Sequence, residues 1–162
     1  MLQQLDYQIA GETCAEAGSR FPGEDFQILR FMTLCGPSSA SAHGDGFQAG
    51  ARAAKDTTAV TICNVRLNGM SMENQRTFVL GRVDGQRQML MKAALDANHA
   101  GLNAAVVGRP VSSLDAASQA TIAAAGFDDY VLHRTGHGIG VATHEYPEDM
   151  SMSFRQCWPT RS

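Results

Sequence analysis

Three histidines, His133, His137 and His144, stand within twelve residues, and Gly136, Gly138 and Gly140 are interleaved with them. An imidazole can ligate a metal through a neutral nitrogen or move a proton near neutral pH. Glycine lets the backbone approach a ligand closely and adopt torsions closed to other residues. His133 and His137, four apart, would share one face of a helix, but glycines at this density argue against a helix. The residues alone leave two readings open: a reactive site, or a turn whose histidines are satisfied by backbone groups. Other chemistry is less marked. The four cysteines, Cys14, Cys35, Cys63 and Cys157, form no CxxC pair, so neither a zinc ribbon nor a thioredoxin-like site is suggested. No GxSxG elbow and no P-loop occurs. His99, late in a predicted helix, suits the C-terminal dipole, and Asp128-Asp129 reads as a solvated turn.

The chain has 162 residues, enough for one domain with a real core and too few for two ordinary ones. With 44% hydrophobic residues, 18% charged and a net charge of −3, it offers no electrostatic case for nucleic acid or an anionic membrane. No apolar run reaches the length of a membrane span, and the Met1-to-Asp6 start lacks the pattern of a signal peptide. A reduced, cytoplasmic protein is the expectation.

The elements that must position the histidines follow from local pattern. Leu2, Leu5 and Ile9 share a helical face, and that helix should end near Gly18. Phe26 to Leu34 reads as a strand stopping at Gly36-Pro37-Ser38-Ser39. Thr57 to Val65 is a second strand, and Asn68-Gly69 offers a hairpin turn into a third, Met70 to Leu80. Arg87 to Ala100 predicts a helix with an apolar stripe of Met89 or Leu90, Ala93, Ala94 and Ala97, closed by Gly101. Ser112-x-x-Asp115 resembles a capping box opening another helix, with Gly126 at its far end. Tyr130 to His133 is expected to be a short strand entering the histidine segment, and the methionines are expected to fill the core. The pattern is α+β with mostly antiparallel pairing.

The string from His133 to Gly140, followed by His144-Glu145-Tyr146-Pro147, resembles the active-site signature of the creatinase/aminopeptidase P superfamily, peptidase M24, and within it the Xaa-Pro dipeptidases. Further segments resemble the family in order. Gly36 to His43 is similar to the segment whose histidine binds substrate and shuttles protons. Asn68-Gly69 through Arg76-Thr77-Phe78 is similar to a ligand-bearing hairpin, and Gly101 with Gly108-Arg109-Pro110 to the stretch between two helices. The resemblance implies a pita-bread-like fold, a mostly antiparallel curved sheet with flanking helices, incomplete at the C-terminus. It implies one partial catalytic domain over 1–162 with no separate N-terminal domain. It also implies a peptide or small-molecule substrate and two divalent metal ions (Mn, Co, Fe or Zn). By that likeness His43, His133 and His144 contact substrate and take part in catalysis, while His137 and Glu73 are metal ligands.

The departures bear on the metals. Glu73 stands where the family has an aspartate, and the longer arm moves its carboxylate outward. The other aspartate's place falls on Ile62, an apolar residue, and Asn64, two positions on, is the nearest polar substitute, neutral and weaker. After Pro147 the chain does not resemble the strands that carry the family's two glutamates. Glu73 and His137 alone do not make a stable dinuclear site. Three functions are therefore weighed: an Xaa-Pro metallopeptidase, a metal-free hydrolase in the manner of creatinase, and a non-catalytic peptide-binding remnant. An open sheet edge would favour self-association, so a homo-oligomer, a dimer, is expected.

Overall fold

The computed structural model describes residues 2–40 and 52–146, which fall into two compact units. The first contains residues 2–40, 52–83 and 139–143; the second contains 84–138 and 144–146. Among the described residues no helix is long and apolar enough to cross a membrane.

The first unit is a helix on a three-stranded antiparallel sheet in the order β1-β2-β3. Helix α1 spans Leu2–Arg20, β1 Phe26–Cys35, β2 Thr57–Leu67 and β3 Met70–Leu80; a 3-10 turn, Gly36–Ala40, follows β1. Strands form where β-branched and apolar residues run together, and Leu67 pairs with Met70 across a two-residue turn. Asn68 and Gly69 take φ of 50° and 82°, the left-handed pair that matches strand twist and that this dipeptide tolerates. Asn68 does more than turn the chain. Its N–H donates to the Asp25 carbonyl at 2.8 Å and its Oδ1 accepts from the Asp25 N–H at 3.1 Å, tying the hairpin to the start of β1.

The covered stripe of α1 runs through Leu2, Asp6, Ile9, Thr13 and Ala17; of the expected Leu2, Leu5 and Ile9, Leu5 falls outside it, being 47% exposed. The reason is polar. The Asp6 carboxylate accepts from the Thr33 N–H at 3.0 Å and from its Oγ at 2.6 Å, so that face must turn toward β1. The core centres on Leu34, Ala59 and Ile62.

The second unit is a helix pair. Helix α2 spans Gly85–Ala104 and α3 Ser112–Ala124; a 3-10 turn, Asp128–Tyr130, follows. Asp84 caps α2, its side chain accepting from the Arg87 N–H at 2.8 Å. The predicted stop at Gly101 is not a stop, and His99 is not in the last turn. Gly101 is buried inside the helix because a Cβ there would lie 2.7 Å from the Ser118 hydroxyl of α3. Ala93, Ala97 and Gly101 form a small-residue seam at four-residue spacing, while Ala94 is exposed. Ser118 Oγ donates to the Ala97 carbonyl at 3.0 Å, closing the seam with a polar bond.

The capping-box expectation for α3 also fails: the cap position is Val111, which has no polar side chain to offer. Ser113 instead donates to the Pro110 carbonyl at 2.7 Å. Tyr130 to His133 forms no strand, because Asp128–Tyr130 closes into a 3-10 turn and the residues after it have no ladder. Asp128 and Asp129 are exposed, as a solvated turn requires. Met70, Met72 and Met89 are 57%, 62% and 59% exposed, so these methionines do not fill the core.

Candidate active site

His133, His137 and His144 lie in the second unit. Gly138 and Glu145 form an isolated antiparallel bridge, with the Glu145 N–H donating to the Gly138 carbonyl at 2.9 Å. A Cβ at Gly138 would sit 2.7 Å from the Glu145 carbonyl oxygen and 2.8 Å from that of Tyr146. Only glycine permits the two backbones to approach this closely. In such a bridge, residues one step away on either side project to the opposite face. His137 and His144 are diagonal neighbours there, and their rings stack at 3.9 Å between centroids and 19° between planes.

The His137 ring is also tied to its own backbone, Nδ1 lying 2.8 Å from the Gly138 carbonyl. A carbonyl only accepts, so Nδ1 carries the proton and, in the neutral ring, Nε2 keeps its lone pair. That is the tautomer a metal ligand or a proton acceptor needs. His133 is exposed, with Nδ1 3.1 Å from the Arg134 carbonyl. The structure thus brings His137 and His144 together, and leaves His133 outside the stack. His43 lies outside the described residues, as do Pro147 and all that follows it.

Between the histidines, sequence pattern marks the glycines and not Thr135. Thr135 donates from both its N–H (3.3 Å) and its Oγ (2.6 Å) to one oxygen of Asp115 in α3. The only sequence signal was an acidic residue near a helix start, which reads as a cap.

In the first unit, Asn64 of β2 and Glu73 of β3 are direct cross-strand partners. Asn64 Nδ2 donates to Glu73 Oε2 at 3.1 Å, and Gln75 Nε2 donates to Oε1. Asn64 is 7% exposed, and its Oδ1 is buried without a hydrogen-bond partner among the described residues. Ile62, which pairs with Gln75, is 2% exposed and belongs to the core. Within the same unit, Ser71 N–H donates to the Gly140 carbonyl at 2.6 Å, and Arg66 Nη2 to the Val141 carbonyl at 3.2 Å.

Cys35 and Cys63 are not activated nucleophiles. Burial pushes Cys63 up from the ordinary thiol range, and burial followed by the negative charge of Asp6 does the same for Cys35.

The scan against family descriptions matches residues 2–157 to metallopeptidase family M24. The chain belongs to that family. A putative dipeptidase YkvY of Bacillus subtilis is 31% identical over 116 residues, 72% of this chain and 31% of the relative. The solved dipeptidase PepE of Mycobacterium ulcerans superposes with a TM-score of 0.84 at 24% identity, covering 98% of this chain and 40% of that one. A prolidase from Pyrococcus furiosus gives 0.72 at 25% identity, over 80% and 37%. The fold of the M24 chain is thus the pita-bread fold of these enzymes, as the histidine signature implied. The chain spans about a third of the length of the first curated relatives it matches.

Family M24 implies divalent metal ions in general. The donor set on β2 and β3 does not fit a dinuclear centre. The family resemblance puts one carboxylate at Ile62, which is an apolar core residue, and Glu73 is the one carboxylate that β2 and β3 carry. The remaining acceptor, Asn64 Oδ1, is neutral. Among the described residues no three His, Cys, Asp or Glu side chains cluster as a metal site would require.

Proposed function

We propose that this M24 chain is the histidine-bearing part of a cytoplasmic hydrolase of short peptides, with Xaa-Pro dipeptides as the substrate class. The observation that carries the reading is the stacked His137–His144 pair, with the His137 ring fixed in the tautomer that leaves Nε2 able to accept a proton. One imidazole can take a proton from an attacking water, and a neighbouring imidazole can stabilise the developing oxyanion or protonate the leaving amine. His43 and His133 supply the further substrate contacts in this scheme. The relatives' names, a putative dipeptidase and a prolidase, support the substrate class. Because β2 and β3 carry one carboxylate, Glu73, and the apolar Ile62 where a second is expected, the chemistry assigned to this chain is acid–base chemistry of histidines.

The test is hydrolysis of Ala-Pro and Gly-Pro by the purified chain, with and without chelator, alongside elemental analysis for Mn, Co, Fe and Zn. Turnover that survives chelation and is lost in His137→Ala supports the proposal. Stoichiometric retained metal, with activity abolished by chelator, would overturn the metal-free part of it. A second reading is favoured by Ile62: a peptide-binding remnant, in which dipeptide binds without turnover. Calorimetric binding with no product formed would select that reading, because function lives in the site and not in the fold.

A further inference from the structure

We infer that Asp115 is a positioning residue for the histidine loop, acting through Thr135. Thr135 stands midway between His133 and His137, in a stretch with no helix or strand of its own. Such a stretch needs side-chain or tertiary bonds to hold one conformation, since regular backbone pairing is not there to do it. Two donors of Thr135, the backbone N–H and the hydroxyl, converge on the same Asp115 oxygen at 3.3 and 2.6 Å. One oxygen therefore fixes both the backbone direction and the χ1 of Thr135.

The anchor is itself well placed. Asp115 lies in the first turn of α3, where the helix dipole favours a carboxylate. The cap residue Val111 has no polar side chain to engage it, and Asp115 Oδ1 accepts from the loop. Helix α3 is in turn held to α2 by the Ser118 hydroxyl on the Ala97 carbonyl and by the close approach at Gly101. Fixing Thr135 on that frame fixes the approach of the chain to His137 two residues later. The His137–His144 stack, at 3.9 Å and 19°, is the geometry this anchoring sustains. A first-turn aspartate would be a plain helix-stabilising charge if its partner were its own helix. Here its partner is the loop.

The inference rests on the hydrolase reading for its functional meaning, but its test does not. Stacked imidazoles shift each other's ring protons upfield, so the His137 and His144 ring resonances report the stack directly by NMR. Asp115→Ala and Thr135→Val should both lose the upfield displacement, while Thr135→Ser, which keeps the hydroxyl, should retain it. Thr135→Val alters only an exposed loop residue, so it decides the matter even if Asp115→Ala folds poorly. Ring shifts unchanged in Thr135→Val would overturn the proposal, as would a melting-temperature drop in Asp115→Ala with shifts intact. If the wild-type chain hydrolyses dipeptides, the same variants should lower kcat with little change in KM. Absent turnover with the NMR effect present would overturn the hydrolase reading and leave the positioning role standing.

Discussion

Gly101→Ala tests whether the seam between α2 and α3 is as tight as the geometry states. Two effects oppose each other. Alanine in a helix interior is favoured over glycine by about 1 kcal/mol. Against that, the new Cβ would lie 2.7 Å from Ser118 Oγ, in a site where Ser118 is only 4% exposed. If the serine rotates away, its 3.0 Å bond to the Ala97 carbonyl is lost, leaving a buried hydroxyl unsatisfied at a cost of about 1–3 kcal/mol. If the helices separate instead, overpacking costs about 1–3 kcal/mol. The clash outweighs the propensity gain over that range: the expected net change is a loss of up to about 2 kcal/mol, read as a lower urea midpoint at unchanged slope. The double variant Gly101→Ala/Ser118→Ala removes the clashing oxygen, so it should recover most of the loss, a coupling of about 1–2 kcal/mol. A Gly101→Ala chain more stable than the wild type, or a double variant no better than the sum of the singles, would refute the packing argument.

Three further outcomes are expected. Gly138→Ala places a methyl against two carbonyl oxygens, so it should open the Gly138–Glu145 bridge; faster hydrogen exchange at the Glu145 amide and loss of the histidine ring shifts are the readouts. Asp6→Ala removes the carboxylate that accepts two bonds from Thr33 and should cost about 1.5–3 kcal/mol in urea unfolding, with Asp6→Asn recovering part. Cys35 and Cys63, with thiol pKa values raised by burial, should alkylate with iodoacetamide more slowly at pH 8 than exposed Cys14, and Asp6→Asn should speed Cys35. The sign for stability follows from the same shifts. Folded thiols hold their protons to higher pH than unfolded ones, so this contribution is complete below the ordinary thiol pKa of 9.0 and is lost as pH rises through the folded values.

The sequence by itself determined what depends on near neighbours. The hairpin at Asn68-Gly69, the three strands and the helices around Leu2, Arg87 and Ser112 were legible because period, turn chemistry and propensity act within a few residues. The histidine motif was legible too, since its residue types and spacing are local, and it led to the family that the chain belongs to. Tertiary structure decided what those local signals could not. Gly101 reads as a helix stop until Ser118 of another helix is found against it. Leu5 fits a helical stripe until the bond between Asp6 and Thr33 turns another face inward. Asp115 reads as a cap until Thr135, twenty residues on, is seen to donate twice to its oxygen. Even the histidines gained their meaning this way. Spacing placed His137 and His144 in one segment, but only the Gly138–Glu145 bridge stacks their rings and ties His137 Nδ1 to a carbonyl. The physical reason is common to all four. A side chain's partner is set by where the chain returns in space, and pattern along the sequence carries no term for that.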